Sequence, residues 1–269
     1  MADRTPPLGV LLRTWRGRRR ISQMDLAHQA GVSPRHLSFV ETGRAKPSRE
    51  MVLHLADQLD VPLRDRNGML LAAGFAPAFR ETDLSSPEMA PVREALGLVL
   101  AGHEPYPAVV VDRHWDLVMA NQAASLFLAG VDPALLGPPL NVLRLTFHPD
   151  GLGSRIVNLG EWADHTISRL EREAMVTGRQ ELTDLAAELK DLIAAQGAYT
   201  PAPEHDPLPA ITMRLATDDG ELAFIATVAT FGTPVDVTLD ELAIEAFLPA
   251  DRHTAEVLRT RAGLPTSQG

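Results

Sequence analysis

The chain has 269 residues, 45% of them apolar and 22% charged, with 35 Asp+Glu against 25 Lys+Arg for a formal net charge of −10. This is globular composition, long enough for two domains that each bury a core, and it excludes a disordered or fibrous chain. The absence of cysteine excludes disulfides, thiolate zinc sites, cysteine nucleophiles and cysteinyl flavin adducts, and suits a reducing compartment. No run of about 18 apolar residues occurs, and the opening MADRTPPLGV lacks the apolar core of a signal peptide. A cytoplasmic protein that does not engage the membrane is therefore expected.

The charge is unevenly spread. Residues 1–80 carry 13 Lys+Arg against 7 Asp+Glu, a net of +6, whereas the other 189 residues carry 12 against 28, a net of −16. A basic first third on an acidic remainder is the balance of a nucleic-acid-binding module joined to a different domain. In chain order, Leu8, Leu11, Leu12 and Trp15 recur at helical spacing, and the basic run Arg16, Arg18, Arg19 and Arg20 follows. Ser22 with Asp25 three residues on predicts a capped helix over 23–29, with Leu26, Ala27 and Ala30 on one face. Gly31 supplies a left-handed helix end, and Ser33-Pro34 opens a second helix whose inward residues are Leu37 and Val40. Pro47-Ser48 starts a helix with Met51, Val52, Leu55, Ala56 and Leu59 inward, and residues 64–73 make a last helix ended by Gly74. Small Ala27 at a helix crossing, the glycine turn and Val32 beneath it are the steric recipe of a helix-turn-helix. The same capping chemistry also serves a plain helical hairpin inside a bundle.

The stretches SQMDLAHQAGVS, LSFVETGRAKPS and LHLADQLDVP match caps, glycines and apolar positions in register with the XRE family. Residues 8–75 closely resemble the DNA-binding domain of these lambda-repressor-like regulators. The resemblance implies a second helix in the DNA major groove, with Ser33, Arg35, His36 and Phe39 meeting base edges. It also implies phosphate contacts from Gln23, Arg44, Lys46 and Arg49. Arg35 suits a bidentate contact to guanine. Phe39 donates no hydrogen bond, stands where the family often has a polar base reader, and is limited to a thymine methyl or the sugar. Glu41 would repel phosphate and is expected to be structural.

Residues 77–92 read as a linker between a helix-turn-helix domain over 1–76 and a second domain over 93–262, with a tail over 263–269. Within it, Ser85-Ser86-Pro87-Glu88 has the form of a capping box, so a helix is expected from about Pro87 to Leu100. Residues 108–112 and 115–119 read as a β-hairpin, after which Asn121 caps a short helix over 122–128. The stretch 141–195 is helical by period, with Trp162, Thr166, Ile167 and Leu170 on one face, and a Pro-rich loop over 199–209 ends it. Strands over 211–216 and 221–231 are joined through Asp218-Asp219-Gly220, and a strand over 243–248 leads to a closing helix over 252–261. The pattern predicts an α+β domain, an antiparallel sheet with helices on one face, after an all-α first domain.

The phrase WDLVMANQAASLFL resembles the opening of a PAS-like sensor domain. With NVLRLTFHPDGLGSRIVNLGEWADHTISRLERE downstream and the XRE-type domain upstream, residues 95–250 resemble the MmyB-like transcription regulators. The resemblance implies a PAS-like domain for ligand binding and dimerisation, and a fatty-acid-type ligand. Candidate pocket residues are Phe127, Leu143, Phe147, Trp162, Met213, Phe224, Val228 and Phe231, with Arg144, His148 and Arg155 as anchors for a carboxylate. No catalytic residue, metal ligand or required cofactor is expected. The histidines after residue 100 never fall at helical ligand spacing, and Gly151-Leu152-Gly153 lacks the third glycine of a dinucleotide fingerprint. No phosphate-loop lysine or nucleophile-elbow serine occurs either. The expected protein is a sequence-specific regulator, not an enzyme, that binds a palindromic double-stranded operator as a homodimer whose geometry a small effector modulates. Two alternatives stand beside it: a second domain that binds a protein partner without a small-molecule pocket, and an enzyme tethered to DNA.

Overall fold

The structure, a computed structural model, describes residues 6–197 and 211–265. The loop expected over 199–209 lies outside the described residues. The chain forms two compact units.

The first unit comprises the chain up to Asp83 together with Met175–Gly178 and Thr233–Asp240. Its helices are α1 (Leu8–Arg18), α2 (Gln23–Gln29), α3 (Pro34–Glu41), α4 (Arg49–Gln58) and α5 (Leu63–Ala72). Three of them start on a serine whose hydroxyl accepts the backbone N–H three residues on: Asp25 from Ser22, His36 from Ser33 and Met51 from Ser48, at 3.1, 3.1 and 3.2 Å. Each cap satisfies a donor that the helix itself leaves unpaired. Gly31 takes φ +63°, which lets the chain reverse between α2 and α3, and Val32 N–H closes the turn on Ala27 O at 2.9 Å. The core is Leu12, Trp15, Leu26, Leu37, Leu55, Leu59 and Leu70, all at most 2% exposed. The segment Thr233–Asp240 is tied in by polar contacts. Val237 N–H donates to Arg80 O at 2.8 Å, Thr82 hydroxyl to Asp236 Oδ2 at 2.6 Å, and Leu63 N–H to Asp240 Oδ2 at 3.0 Å.

The second unit opens with a 3-10 turn (Pro87–Met89) and α6 (Ala90–Gly102), then β1 (Ala108–Val111), β2 (Leu117–Ala120) and a 3-10 helix Gln122–Leu128. Next come α7 (Val142–Phe147), α8 (Leu159–Thr177), α9 (Gln180–Ala195), β3 (Thr212–Thr217) and β4 (Gly220–Thr230). After α10 (Val237–Asp240), which belongs to the first unit, β5 (Ala243–Pro249) and α11 (Arg252–Arg261) complete it. The sheet order is β2-β1-β5-β4-β3 with every neighbouring pair antiparallel, so this is the α+β arrangement that the pattern predicted. Side chains alternate across the sheet. Val109, Val111, Met213, Leu215, Leu222, Phe224 and Phe247 pack with Leu143, Leu145, Trp162, Ile167, Leu170, Leu182 and Leu189 of α7, α8 and α9.

Two local expectations fail for identifiable reasons. The capping box at Ser85–Glu88 does not cap α6, because Pro87 leads a 3-10 turn first, and the buried Ser86 hydroxyl has no hydrogen-bond partner among the described residues. The second strand starts at Leu117 rather than 115, because Trp115 adopts φ +65° and belongs to the turn. Among the described residues, no helix is long and apolar enough to cross a membrane.

Candidate DNA-reading surface and ligand cavity

On the first unit, α2 and α3 are held at their crossing by buried Leu26, Ala27, Leu37 and Val40. At the C-terminal end of α3 sits a carboxylate that is 3% exposed, Glu41. It accepts from Arg16 Nε at 3.1 Å and from Gln23 Nε2 at 2.9 Å, while Arg13 Nη1 donates to its backbone carbonyl at 3.1 Å. One buried anion therefore joins α1, the start of α2 and the end of α3, with charge-assisted bonds that compensate its loss of hydration. Close approach makes this possible: a Cβ on Gly9 would meet Glu41 O at 2.0 Å. The outer face of α3 is left to Arg35, His36 and Phe39. Arg35 is exposed, with its guanidinium 5.4 Å from the Phe39 ring one turn on. Arg44 and Lys46 are exposed and Arg49 is half-buried, and none of the three enters an ion pair among the described residues.

On the second unit, a cavity of about 270 Å³ lies between the inner face of the sheet and the helices that cover it. Its walls are apolar: Val109, Leu117, Leu143, Leu145, Trp162 and Phe247 among them. Phe127 also lines it and meets Phe224 and Phe247 edge-to-face, with ring centroids 5.7 and 4.9 Å apart. The polar side chains on the lining are Asn121, Gln122, Ser125, Thr146, Thr166, Arg169 and Glu245. Thr166 and Arg169 come from one face of α8, and Glu245 comes from the middle of β5. Arg169 Nη2 donates to Glu245 Oε1 at 2.9 Å, and its guanidinium lies 4.8 Å from the Trp115 ring centroid. Glu245 is 4% exposed, and burial pushes its carboxyl above the usual carboxylate range, against the pull of Arg169. Thr166, 3% exposed, has a hydroxyl with no hydrogen-bond partner among the described residues.

A family model described as the MmyB-like transcription regulator ligand binding domain matches residues 92–260, and one described as a helix-turn-helix domain matches residues 7–67. The chain belongs to the MmyB-like transcription regulators. No curated relative matches it. This MmyB-like regulator thus joins a DNA-binding helix-turn-helix to a ligand-binding domain, the architecture that the sequence resemblance implied.

Of the pocket residues named from the sequence of this MmyB-like regulator, Phe127, Leu143, Trp162 and Met213 line the cavity. Phe147 and Phe224 are fully buried and stand behind its wall. Val228 and Phe231 fall near or beyond the end of β4, where the strand runs out from under its cover, and Val228 is 45% exposed. The three expected anchors are elsewhere. Arg144 forms a bidentate pair with Glu188 at 2.7 and 2.8 Å, and His148 accepts from Asp150 N–H at 3.1 Å. Both border a separate depression beside α7 and α9. Arg155 donates to Ala129 O and Ala216 O. The cation at the cavity is Arg169, which the sequence reading passed over. Its signal was available: Arg169 extends the stripe Trp162–Thr166 along the apolar face of α8, and Glu245 interrupts the apolar run of β5. A charged residue inside an apolar face is the feature to follow.

On the DNA side, Ser33 spends its hydroxyl as the cap of α3, and Gln23 places one amide proton on Glu41. The second amide proton of Gln23 keeps its donor capacity.

Proposed function

We propose that the chain is an effector-responsive, sequence-specific regulator. Arg35, His36, Phe39 and Ser33 read base edges, and Arg44, Lys46, Arg49 and Gln23 hold phosphates. Two copies pair on a palindromic operator with half-sites about one helical turn apart, since a single short recognition helix offers little surface. The second domain, over 93–262, is PAS-like, and its sheet order supports that reading. It takes a small lipid-like molecule of the fatty-acid type, whose hydrocarbon tail fills the cavity and whose binding shifts the dimer between two spacings of the reading heads. Ligand moves that equilibrium only by its difference in affinity for the two arrangements. No catalytic step is assigned, and the compartment is cytoplasmic.

The observation that carries this reading is the apolar cavity of about 270 Å³, just below the roughly 300–1,000 Å³ usual for ligand pockets. Native mass spectrometry of the purified chain tests it. A dimer that retains one lipid-sized mass, and whose mobility-shift affinity for a selected palindrome changes when that mass is removed, is the expected result. A chain that carries no added mass and takes up none from offered single-chain lipids overturns the effector reading in favour of a protein-partner domain.

A further inference from the structure

Among the described residues, the cavity lining carries two charged groups, Arg169 and Glu245, and they face each other at 2.9 Å. The neutral polar groups around them have their donors committed or lie exposed. Asn121 spends its side chain on backbone, accepting from the N–H of Ala108 and Ala124 and donating to Leu100 O and Tyr106 O. The Ser125 and Thr146 hydroxyls donate to Gln122 O and Val142 O, each at 2.7 Å, and Gln122 is exposed. Thr166 differs from these. Its hydroxyl is buried without a partner among the described residues, one turn before Arg169 on the same face of α8. A carboxylate head group needs donors, and α8 supplies two, the Thr166 hydroxyl and the Arg169 guanidinium. The guanidinium is a planar fork of five N–H groups of which Nη2 bonds Glu245, so it has donors for a second carboxyl group.

Donors can be shared between two carboxyl groups, but charge cannot. Arg169 balances one carboxylate. A second beside it would leave an excess negative charge against apolar walls, next to a residue that is 4% exposed. No further cation faces the pair. Across the strands Glu245 stands opposite Val109 of β1 and Val228 of β4, and the Trp115 ring covers the guanidinium. Along α8, Glu173 is another acid, its carboxyl pushed up by burial against Arg179 and Arg169. His165 is held below its ordinary 6.5 by burial and then by Arg169 and Arg172, so it is uncharged at neutral pH and above. Two carboxyl groups on one cation therefore settle with one proton between them, as like charges at close quarters do.

We infer that effector binding is proton-linked: a ligand carboxylate seated on Arg169 and Thr166 draws one proton from solution into the site, where the ligand and Glu245 carboxyl groups hold it between them. The inference rests on the effector reading above and adds the regulation of that same site, since acidification favours the bound form. The charge balances. One cation and one carboxylate become one cation, one carboxylate and one carboxylic acid. Arg169 is the anchor, Thr166 the second donor, and Glu245 the group through which pH enters.

Calorimetric titration of the full chain with decanoate, in buffers of different ionisation enthalpy, counts the protons. Between about pH 8 and 9, binding is expected to take up about one proton per decanoate, and affinity to fall about tenfold per pH unit. Methyl decanoate, which carries no charge, is expected to bind without proton uptake. Glu245→Gln keeps the shape of the side chain and removes the competing charge, so decanoate binds with no proton and with an affinity flat in pH. In the Glu245→Gln background, where no buried carboxylate is stranded, Arg169→Met is expected to weaken decanoate at least about tenfold and leave methyl decanoate within about twofold. Decanoate binding to the unaltered chain with no proton taken up anywhere between about pH 6 and 9 overturns the proton link. Uptake that survives Glu245→Gln overturns it too, and both results leave the effector reading standing. Failure of decanoate and methyl decanoate alike to bind overturns the effector reading and this inference with it.

Discussion

In the first unit the caps join residues three apart, Ser22 to Asp25, Ser33 to His36 and Ser48 to Met51. In the second, the contact that defines the polar end of the cavity joins Arg169 to Glu245, 76 positions away. Both units bury a carboxylate under an arginine, but the two pairs do different things. Glu41 is met by Arg16 and Gln23 and has its backbone carbonyl bonded by Arg13, so it is a closed fastening between helices. Glu245 has a single donor and opens on a cavity. The difference separates a buried charge that fastens helices from one left with a single donor on a cavity lining: the first is saturated by its neighbours, and the second is not.

Substitutions sharpen that contrast, and the largest effect is expected at the saturated site. Glu41→Ala strands Arg16 and Gln23 and is expected to destabilise the first unit by about 3 kcal/mol. Denaturant unfolding of the full chain reads it. An unchanged midpoint would break the fastening argument. Gly9→Ala drives a methyl into Glu41 O, 2.0 Å away. It is expected to cost about 2 kcal/mol by the same measurement.

Arg35→Ala leaves the fold alone and is expected to lose about 2 kcal/mol of specific DNA binding, with relaxed choice at one operator position. Selection of binding sites from random DNA checks this, and an unaltered consensus removes Arg35 from the readout. At the unsaturated site the effect is on pH dependence. Glu245 titrates above its ordinary 4.5 in the folded chain, so the folded state holds a proton that the unfolded state has released. That contribution to stability is complete below about pH 4.5 and is lost as pH rises through the elevated value. Glu245→Gln is therefore expected to flatten the fall of stability above pH 4.5, as followed by unfolding at a series of pH values. The smallest change is expected at Lys46→Ala. Affinity weakens alike for all sequences, and the slope of log affinity against log salt drops by about one. A sequence-selective loss would contradict the phosphate assignment.

Much of the first unit was legible because its determinants are local. A serine followed three residues later by an acid, a glycine after seven helical residues and apolar positions at helical spacing each act within a turn or two of chain. The second unit was legible in its elements, with boundaries displaced where a neighbour intervened, as Trp115 shows by joining the turn instead of the strand. Its site was half legible. Phe127, Leu143, Trp162 and Met213 were found because large apolar residues on inward faces tend to line whatever space the core leaves. The anchors were not, because Arg144 pairs with Glu188 across helices and Arg155 bonds to loop carbonyls, pairings that no spacing along the chain reveals.

The sequence by itself determined the family, the helix-turn-helix, the α+β character of the second unit and the sign of charge on each part. These follow from residue type and short-range spacing, where a single turn of backbone sets which groups meet. The tertiary structure alone decided that Glu41 closes three helices together, that Arg169 meets Glu245, and that Thr166 has no partner among the described residues beside an apolar cavity. Burial and pairing are properties of groups brought together from distant positions, and the free energy of a charge depends on what surrounds it rather than on its neighbours along the chain.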